Sequence, residues 1–513
     1  MLKSKREQEL ELEIKKLKKE NEMLKKTVKL KNEKLKIQNE QLEDLSKENK
    51  TLFYKNKYEL EKEKNKKLEN QLKEKDDYIA KIIGQLNKNS TNSSKPSSSD
   101  GFKKKIHNFR EKTNRNVGAQ EGHEYHKPKL IDKPDEVVQV KKPRKCSCGG
   151  HIKYDKEKIR RQLIDLLTQY YVIEYQGQIG ICEKCGKKYF PEFPESINNA
   201  VQYGESVKGL SMILSEYGNV PVDKIKDIIG ILTNSDGPAS GSIMYWKLNS
   251  YGTMESIMED IKDEMLKSPV INHDETPFRV NGKQKYAIGA FTDNLSAIEC
   301  NGGREKEAFK KMNILPRYGG ILVGDHYAVN ESFQGTTAFC NVHTTREAKG
   351  ILDIRKDSMA KDYIDFMYKL KKEVEESPKN KLSKKRYEEV REEHIKLLEK
   401  WKLEFNNFMK GKKTEYYDSE RRLINRLLEY VDGHLLFAKE SKVPFSNNPA
   451  ERGLRSVKNK VKVIGGFRSM DYADGYCNSL SIIQTAQKQN LNPCKVLGKI
   501  VSGQRKVFSF QSV

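Results

Sequence analysis

PVINHDETPFRVNGKQKYAIGA, running from Pro269 to Ala290, is the stretch on which the fold turns. A short apolar run, Val270 and Ile271, leads to a carboxylate at Asp274, and Glu275-Thr276-Pro277 has the composition of a turn. A second apolar run, Tyr286 to Phe291, follows. The pattern predicts a β-hairpin whose first strand carries an acid at its tip. Glu275 competes with Asp274 for that position.

Two distant stretches are suited to meet this tip. GGILVGDHY, Gly319 to Tyr327, is another apolar strand that ends on an acid, Asp325. SNNPAERGLR, Ser446 to Arg455, reads as a helix start carrying Glu451. Two strand-end aspartates and a helical glutamate suit a pair of divalent cations about 4 Å apart, which activate an attacking oxygen and neutralise a leaving one in phosphoryl transfer. Mg²⁺ prefers carboxylate oxygens and keeps some of its water, so three acids suffice where substrate phosphates add ligands. Each acid also has a plainer explanation. Asp274 can belong to a turn, Asp325 can simply end a strand, and Glu451 can be N3 of a capping box with Asn448 as N-cap and Pro449 at N1. Their order along the chain favours the shared site over three coincidences.

The bulk properties agree with a nucleic-acid partner. Lys and Arg total 97 against 73 acids, a formal net charge of +24, which favours an anionic polymer. At 513 residues the chain exceeds one core, so two to four domains are expected. No apolar run approaches the roughly 18 residues of a membrane span, and the N-terminal residues lack a secretory apolar region. Eight cysteines in so long a chain do not make a disulfide framework, and a reducing cytoplasm is the expected location.

From the N-terminus, residues 1–86 carry heptads, with Leu10, Leu17, Leu24, Leu45 and Leu52 at d and Ile14, Asn21, Val28, Leu35, Leu42 and Asn49 at a. A shifted frame resumes at Leu68, Leu72, Ile79, Ile82 and Leu86, implying a stutter. Asparagine at a sets register in two-stranded coils, so a parallel homodimer is predicted. Residues 87–145 are polar and basic, beginning NKNSTNSSKPSSSD, and read as a flexible linker. In 146–200, Cys146 and Cys148 precede Cys182 and Cys185, with the apparently β-rich TQYYVIEYQGQIGIC between them; four thiolates in two knuckles suggest a zinc-ribbon-like module with structural Zn²⁺. Three short helices are expected in 201–268, either a helix-turn-helix DNA reader or a packing module around Trp246. An α/β core should occupy 269–355, with a third strand near Leu295 to Cys300 and a helix from Arg304 to Met312. Three charged helices, in 356–440, interrupt it, and the core resumes over 441–513.

HDET, GDHY, CNVHTTREAKGI and NNPAERGLRSVKNKVKVIGGFRS together resemble the DDE transposases of the bacterial insertion-sequence-66 family. The coiled coil, NSSKPSSSD, GAQEGH, the cysteine pairs and FPESINNAVQYGESVKGL agree, so the resemblance covers almost the whole chain. It implies an RNase H-like catalytic core and metal-dependent cutting and joining of transposon ends in a bacterial, nucleoid-associated protein. Carried over by motif, the catalytic and Mg²⁺- or Mn²⁺-binding acids are Asp274, Asp325 and Glu451. His326 stands where the family has a small Gly, Tyr286 where a Trp is usual, and Thr344 and Thr345 replace bulkier residues. Arg455 and Lys458 share a helical face with Glu451, and with Arg452 they are candidate contacts to double-stranded DNA. Cys340 with His343 reads as a metal pair or as helix-start packing, the latter preferred. The competing reading is a non-catalytic coiled-coil DNA-binding protein, or an inactivated transposase copy.

Overall fold

The computed structural model describes residues 5–44, 51–86, 133, 137, 168–181, 188–189, 192–301, 310, 312–326, 333, 335–410 and 417–510. Cys146, Cys148, Cys182 and Cys185 lie outside them, as do nearly all of the basic linker and most of the helix expected from Arg304. Two compact units divide the chain, one of Met1–Ile106, Val201–Ile225 and Ala239–Val513, the other of His107–Ala200 and Lys226–Pro238.

The heptads form two helices, α1 (Lys5–Asp44) and α2 (Thr51–Leu86), and the change of heptad phase, between Leu52 and Leu68, falls within the second. These helices pack antiparallel on each other within one chain. Glu20 accepts from Lys75 Nζ at 2.7 Å, the buried Asn21 donates to Asp76 at 2.6 Å, and Asn32 donates to Glu69 at 3.4 Å. Within one chain the pairing is therefore antiparallel and intramolecular. Seam positions such as Asn21, Val28, Ile79 and Ile82 are thereby covered within the chain.

In the smaller unit, β1 (Gly180–Ile181) pairs antiparallel with β2 (Lys188–Tyr189). The residues from Thr168 to Ile179, expected to be β-rich, form no regular structure, and Tyr171 and Val172 are strongly exposed. An apolar run becomes a strand only when a neighbour satisfies its backbone.

Three helices precede the sheet: α3 (Glu205–Met212), continued by a π-turn over Ile213–Tyr217, α4 (Val222–Thr233) and α5 (Ser240–Met265). The last is far longer than the short helices expected. Trp246 is only half-buried, edge-on to Tyr203 with 5.6 Å between ring centres, and does not form the core of a bundle. The apolar stripe of α5 instead covers the sheet, with Met254, Ile257, Met258, Ile261 and Met265 packed against Ile271, Ile288 and Leu322.

The sheet has five strands: β3 (Val270–Val280), β4 (Lys283–Phe291), β5 (Ser296–Asn301), β6 (Ile321–Gly324) and β7 (Thr336–Phe339). Its order is β5-β4-β3-β6-β7, with β3, β4 and β5 antiparallel and β3, β6 and β7 mutually parallel. The first strand does not turn after Asp274, as expected, but continues through Pro277 to Val280. The turn is Asn281-Gly282, with φ of 47° and 72°, the left-handed pair of a tight hairpin. Pro277 is tolerated because β6 pairs only as far as Asn272, leaving β3 with one neighbour there.

After the sheet come α6 (Asn341–Ile354) and a helical insertion of α7 (Ala360–Glu376), α8 (Lys384–Phe408), α9 (Asp418–Glu429) and α10 (Val431–Lys439). Among the described residues the insertion has four α-helices where three were expected. Tyr430, at φ −116° and ψ 35°, breaks the last segment in two. Around the buried Trp401, Glu420 accepts from Trp401 Nε1 at 2.8 Å, Ser358 Oγ at 2.6 Å and Arg355 Nε at 3.0 Å. Finally α11 (Asn448–Ile464) covers the face of β3 and β4 opposite α5, while α12 (Met470–Lys488) runs along β5 and α13 (Pro493–Val501) closes the chain.

Candidate active site

Register brings the two aspartates together. Val270 pairs with Ile321, Ile271 with Leu322 and Asn272 with Val323. The ladder ends there, but the same offset matches Asp274 with Asp325, and the charge of Asp325 is felt at Asp274. Alternation along β3 puts Asp274 on the face of Phe278, which α11 covers, and Glu275 on the other, so Asp274 is the candidate acid. The sheet splays here because Gly324 is the last residue of β6, and Asp325 leaves the ladder with its side chain 40% exposed.

Glu451 comes from α11. Ala450, Leu454 and Val457 bury its apolar stripe against Phe278, Ala287 and Phe291. Gly453 permits this approach, since a Cβ there would overlap the Phe291 ring. The helix is anchored by Asn447 rather than by the expected N-cap Asn448. Asn447 is 1% exposed, accepts from Asn272 Nδ2 at 3.0 Å and donates Nδ2–H to the His273 carbonyl at 2.7 Å. Its own N–H points to Cys340 Sγ at 3.2 Å. This asparagine side chain spends its hydrogen bonds on β3 and caps nothing within its helix. Glu451 therefore sits one position beyond N3, and the capping-box explanation does not apply.

His343, on the first turn of α6, lies between the two later acids. Its Nδ1 is 2.8 Å from Asp325 Oδ1 and its Nε2 is 3.9 Å from Glu451 Oε1. The closer approach has no hydrogen-bonding angle. Asp325 Oδ1, His343 Nδ1 and Glu451 Oε1 are all buried atoms without a hydrogen-bond partner among the described residues. Cys340 stands at the N-cap position of the same helix, and the ligand atoms of Asp325, Cys340 and His343 lie within 4.8 Å of one another. Sequence reasoning preferred a packing role for His343. Its signal was the Cys340–His343 spacing, which puts both side chains at one helix start. Asn447 was missed altogether, although of two asparagines before a proline only one can cap.

The electrostatics are those of crowded carboxylates. Burial, then the charge of Asp325, pushes Asp274 up to about 7, although the Glu275 N–H donates to its Oδ1 at 2.8 Å and Lys458 draws it down. Burial would also raise Asp325, but His343 outweighs it and holds that carboxyl below its ordinary value. Burial disfavours a charged His343, yet Asp325 and then Cys340 raise it to about 11, so in the metal-free protein an imidazolium balances the acids. Beside them, burial and Arg426 lower His326 to about 3. Its neutral ring meets His434, Nε2 to Nε2, at 2.8 Å, and His434 Nδ1 lies 3.0 Å from Asn341 Oδ1. The amide oxygen only accepts, so His434 donates from Nδ1 and His326 donates to the remaining Nε2 of His434.

Three buried atoms without partners and two crowded carboxylates fit a cation. Of the candidate DNA contacts, Arg452 and Arg455 are exposed and Lys458 is half-buried, its charge felt at Asp274. None of the described helices is long and apolar enough to cross a membrane.

Residues 234–474, which contain all three acids, match the family model described as Transposase IS66 family, and residues 37–129 match a family of unknown function (DUF6444). A protein of Sinorhizobium fredii (strain NBRC 101917 / NGR234), described as Uncharacterized protein y4hP, is 25% identical over 224 residues, 37% of this chain and 37% of that protein. The match thus spans little more than a third of that relative's length. Over residues 234–474 the chain belongs to the IS66 transposase family.

Proposed function

We propose that this protein is a DDE transposase that cuts and joins phosphodiesters at the ends of its own insertion sequence, with an RNase H-like core, Mg²⁺ or Mn²⁺ as cofactor and Asp274, Asp325 and Glu451 as the catalytic acids. The observation that carries the reading is the crowding of the three acids: the charge of Asp325 raises Asp274, and His343 lies within 4 Å of both Asp325 and Glu451, whose Oε1 is buried without a donor. The strand order, three antiparallel strands followed by two parallel ones, supports the RNase H-like assignment.

Asp274, Asp325 and Glu451 would hold the cations. Bound there, divalent ions supply a lowered pKa for the attacking water or 3′-hydroxyl and neutralise charge on the leaving oxygen. The protein's own part is to hold the carboxylates on rigid elements, two strands and one helix. Asn447 fixes the helix, and Lys458 adds positive charge where a DNA phosphate would approach. Arg452 and Arg455, exposed on the same helix, would contact neighbouring phosphates. Structural zinc at Cys146, Cys148, Cys182 and Cys185 is proposed on their spacing alone.

The test is a nicking and strand-transfer assay on duplexes carrying the element's terminal repeats, with Mg²⁺ or Mn²⁺. Asp274→Asn, Asp325→Asn and Glu451→Gln should each abolish both steps while DNA binding persists. Retained cleavage in all three would remove the assignment, and DNA binding without any divalent-dependent cleavage would favour a non-catalytic binder.

A further inference from the structure

Cys340 has no use in a magnesium site. A hard cation takes carboxylate oxygens and water, whereas a thiolate and an imidazole beside a carboxylate are the donor set of a softer metal. Cys340 is 2% exposed at the N-cap of α6, and three residues on the same helix presents His343 toward the same point. The ligand atoms of Asp325, Cys340 and His343 already lie within 4.8 Å of one another. Ligands at about 2.0–2.3 Å from a tetrahedral ion stand roughly 3.4 Å apart, so the group needs only a small adjustment. The 2.8 Å approach of Asp325 Oδ1 to His343 Nδ1 must open by about half an ångström. The metal takes the place of the ion pair between these two atoms, neither of which makes a hydrogen bond elsewhere among the described residues.

The surroundings fit as well. A metal on His343 Nδ1 leaves Nε2–H facing Glu451 Oε1, now 3.9 Å away, and a carboxylate behind the distal nitrogen is the usual way a liganding imidazole is oriented. Asp325 is 40% exposed and gives the ion a way in from solvent.

We propose that Asp325, Cys340 and His343 form a binding site for one thiophilic divalent cation of the zinc or cobalt class, distinct in donor set from the all-carboxylate magnesium site and sharing Asp325 with it. Occupation of the thiophilic site takes Asp325, and turns Glu451 toward His343, so the two sites are mutually exclusive. The protein is thereby open to competitive silencing by a soft metal.

The test reads ligation, not DNA cleavage, so this inference and the transposase assignment can fail separately. Full-length protein is first stripped of metal with a chelator, and the Cys146/Cys148/Cys182/Cys185 group, common to every variant, cancels in the differences between them. It is then titrated with Co²⁺, and thiolate-to-cobalt charge-transfer absorption is recorded in the near ultraviolet. Wild type and Asp274→Asn should bind one more cobalt per chain than Cys340→Ser, with a correspondingly stronger band. His343→Gln should bind that cobalt at least tenfold more weakly. Circular dichroism of each variant establishes that it is folded, and His343→Gln leaves the thiol in place if the serine variant is not. A band unchanged in Cys340→Ser, or no band in folded wild type, would overturn the proposal and leave His343 as an ion-pair partner only.

Discussion

His394 gives the most direct measure of how the insertion is held together. It is 0% exposed in α8, its ring stacked on Phe366 with 5.3 Å between centres, and neither ring nitrogen has a partner among the described residues. Burial alone lowers its pKa from 6.5 to about 4. Between those values the unfolded chain takes up a proton that the folded chain refuses, so stability is complete above pH 6.5 and falls as pH drops toward 4. The full shift corresponds to about 3 kcal/mol, and the fall from pH 7.5 to pH 5 to about 2 kcal/mol. His394→Leu removes this dependence, and it also removes two buried nitrogens that lack partners, so the variant should be no less stable than wild type at pH 7.5. The assay is urea unfolding followed by Trp401 emission in a Trp246→Phe background, since the chain has two tryptophans and Trp401 lies in the same core. His273, His326 and His434 are lowered in the same direction, but they titrate in both proteins and cancel in the difference. Wild type should lose about 2 kcal/mol more than His394→Leu between the two pH values. Parallel losses, within about 0.5 kcal/mol of each other, would refute the argument that this imidazole is buried uncharged and unpartnered.

Three further outcomes are expected. Gly453→Ala should cost about 1–3 kcal/mol in thermal unfolding and slow cleavage, because its methyl meets the Phe291 ring and lifts α11 from β4. Glu216, 0% exposed, is paired with Lys247 at 2.5 Å, so Lys247→Met alone should destabilise by about 3 kcal/mol, and Glu216→Leu combined with Lys247→Met should recover much of that in denaturant titration. Asn21→Cys with Asp76→Cys should oxidise to a cross-link within one chain, seen as an unchanged chain mass on a non-reducing gel, whereas a parallel coil would yield a covalent dimer through the cysteines at position 21.

Local pattern was enough to find the apolar runs that become β6 and α11 and the acids at their ends, because hydrophobic period and helix-start chemistry act over a few residues. It was not enough for β3. Glu275-Thr276-Pro277 has turn composition, but pairing with β4 and the Asn281-Gly282 turn outweigh it, so Asp274 lies inside a strand. Nor did the heptads reveal their partner, since an a-position asparagine fits Asp76 of the same chain as well as its own copy in another. The places of His343 and Asn447 depend on contacts across long stretches of chain, which no local pattern encodes.

Those long-range contacts tie the helical insertion to the candidate site without contributing an acid to it. The insertion leaves the core after α6 and returns just before Asn447, and its two ends are stapled. The Asn341 N–H donates to the Phe445 carbonyl at 3.1 Å, and Asn341 Nδ2 donates to the His434 carbonyl at 2.9 Å. On the core side, the Cys340 N–H donates to the Gly324 carbonyl at 3.0 Å, one residue before Asp325. A displacement of α10 therefore pulls on the start of α6, which carries His343, and on the residues that seat Asn447, which anchors the helix of Glu451. Asp274 and Asp325 are set by sheet register and would keep their places, while Glu451 depends on the insertion being folded. Loosening the insertion with acid should accordingly separate the third carboxylate from the first two before the sheet itself unfolds.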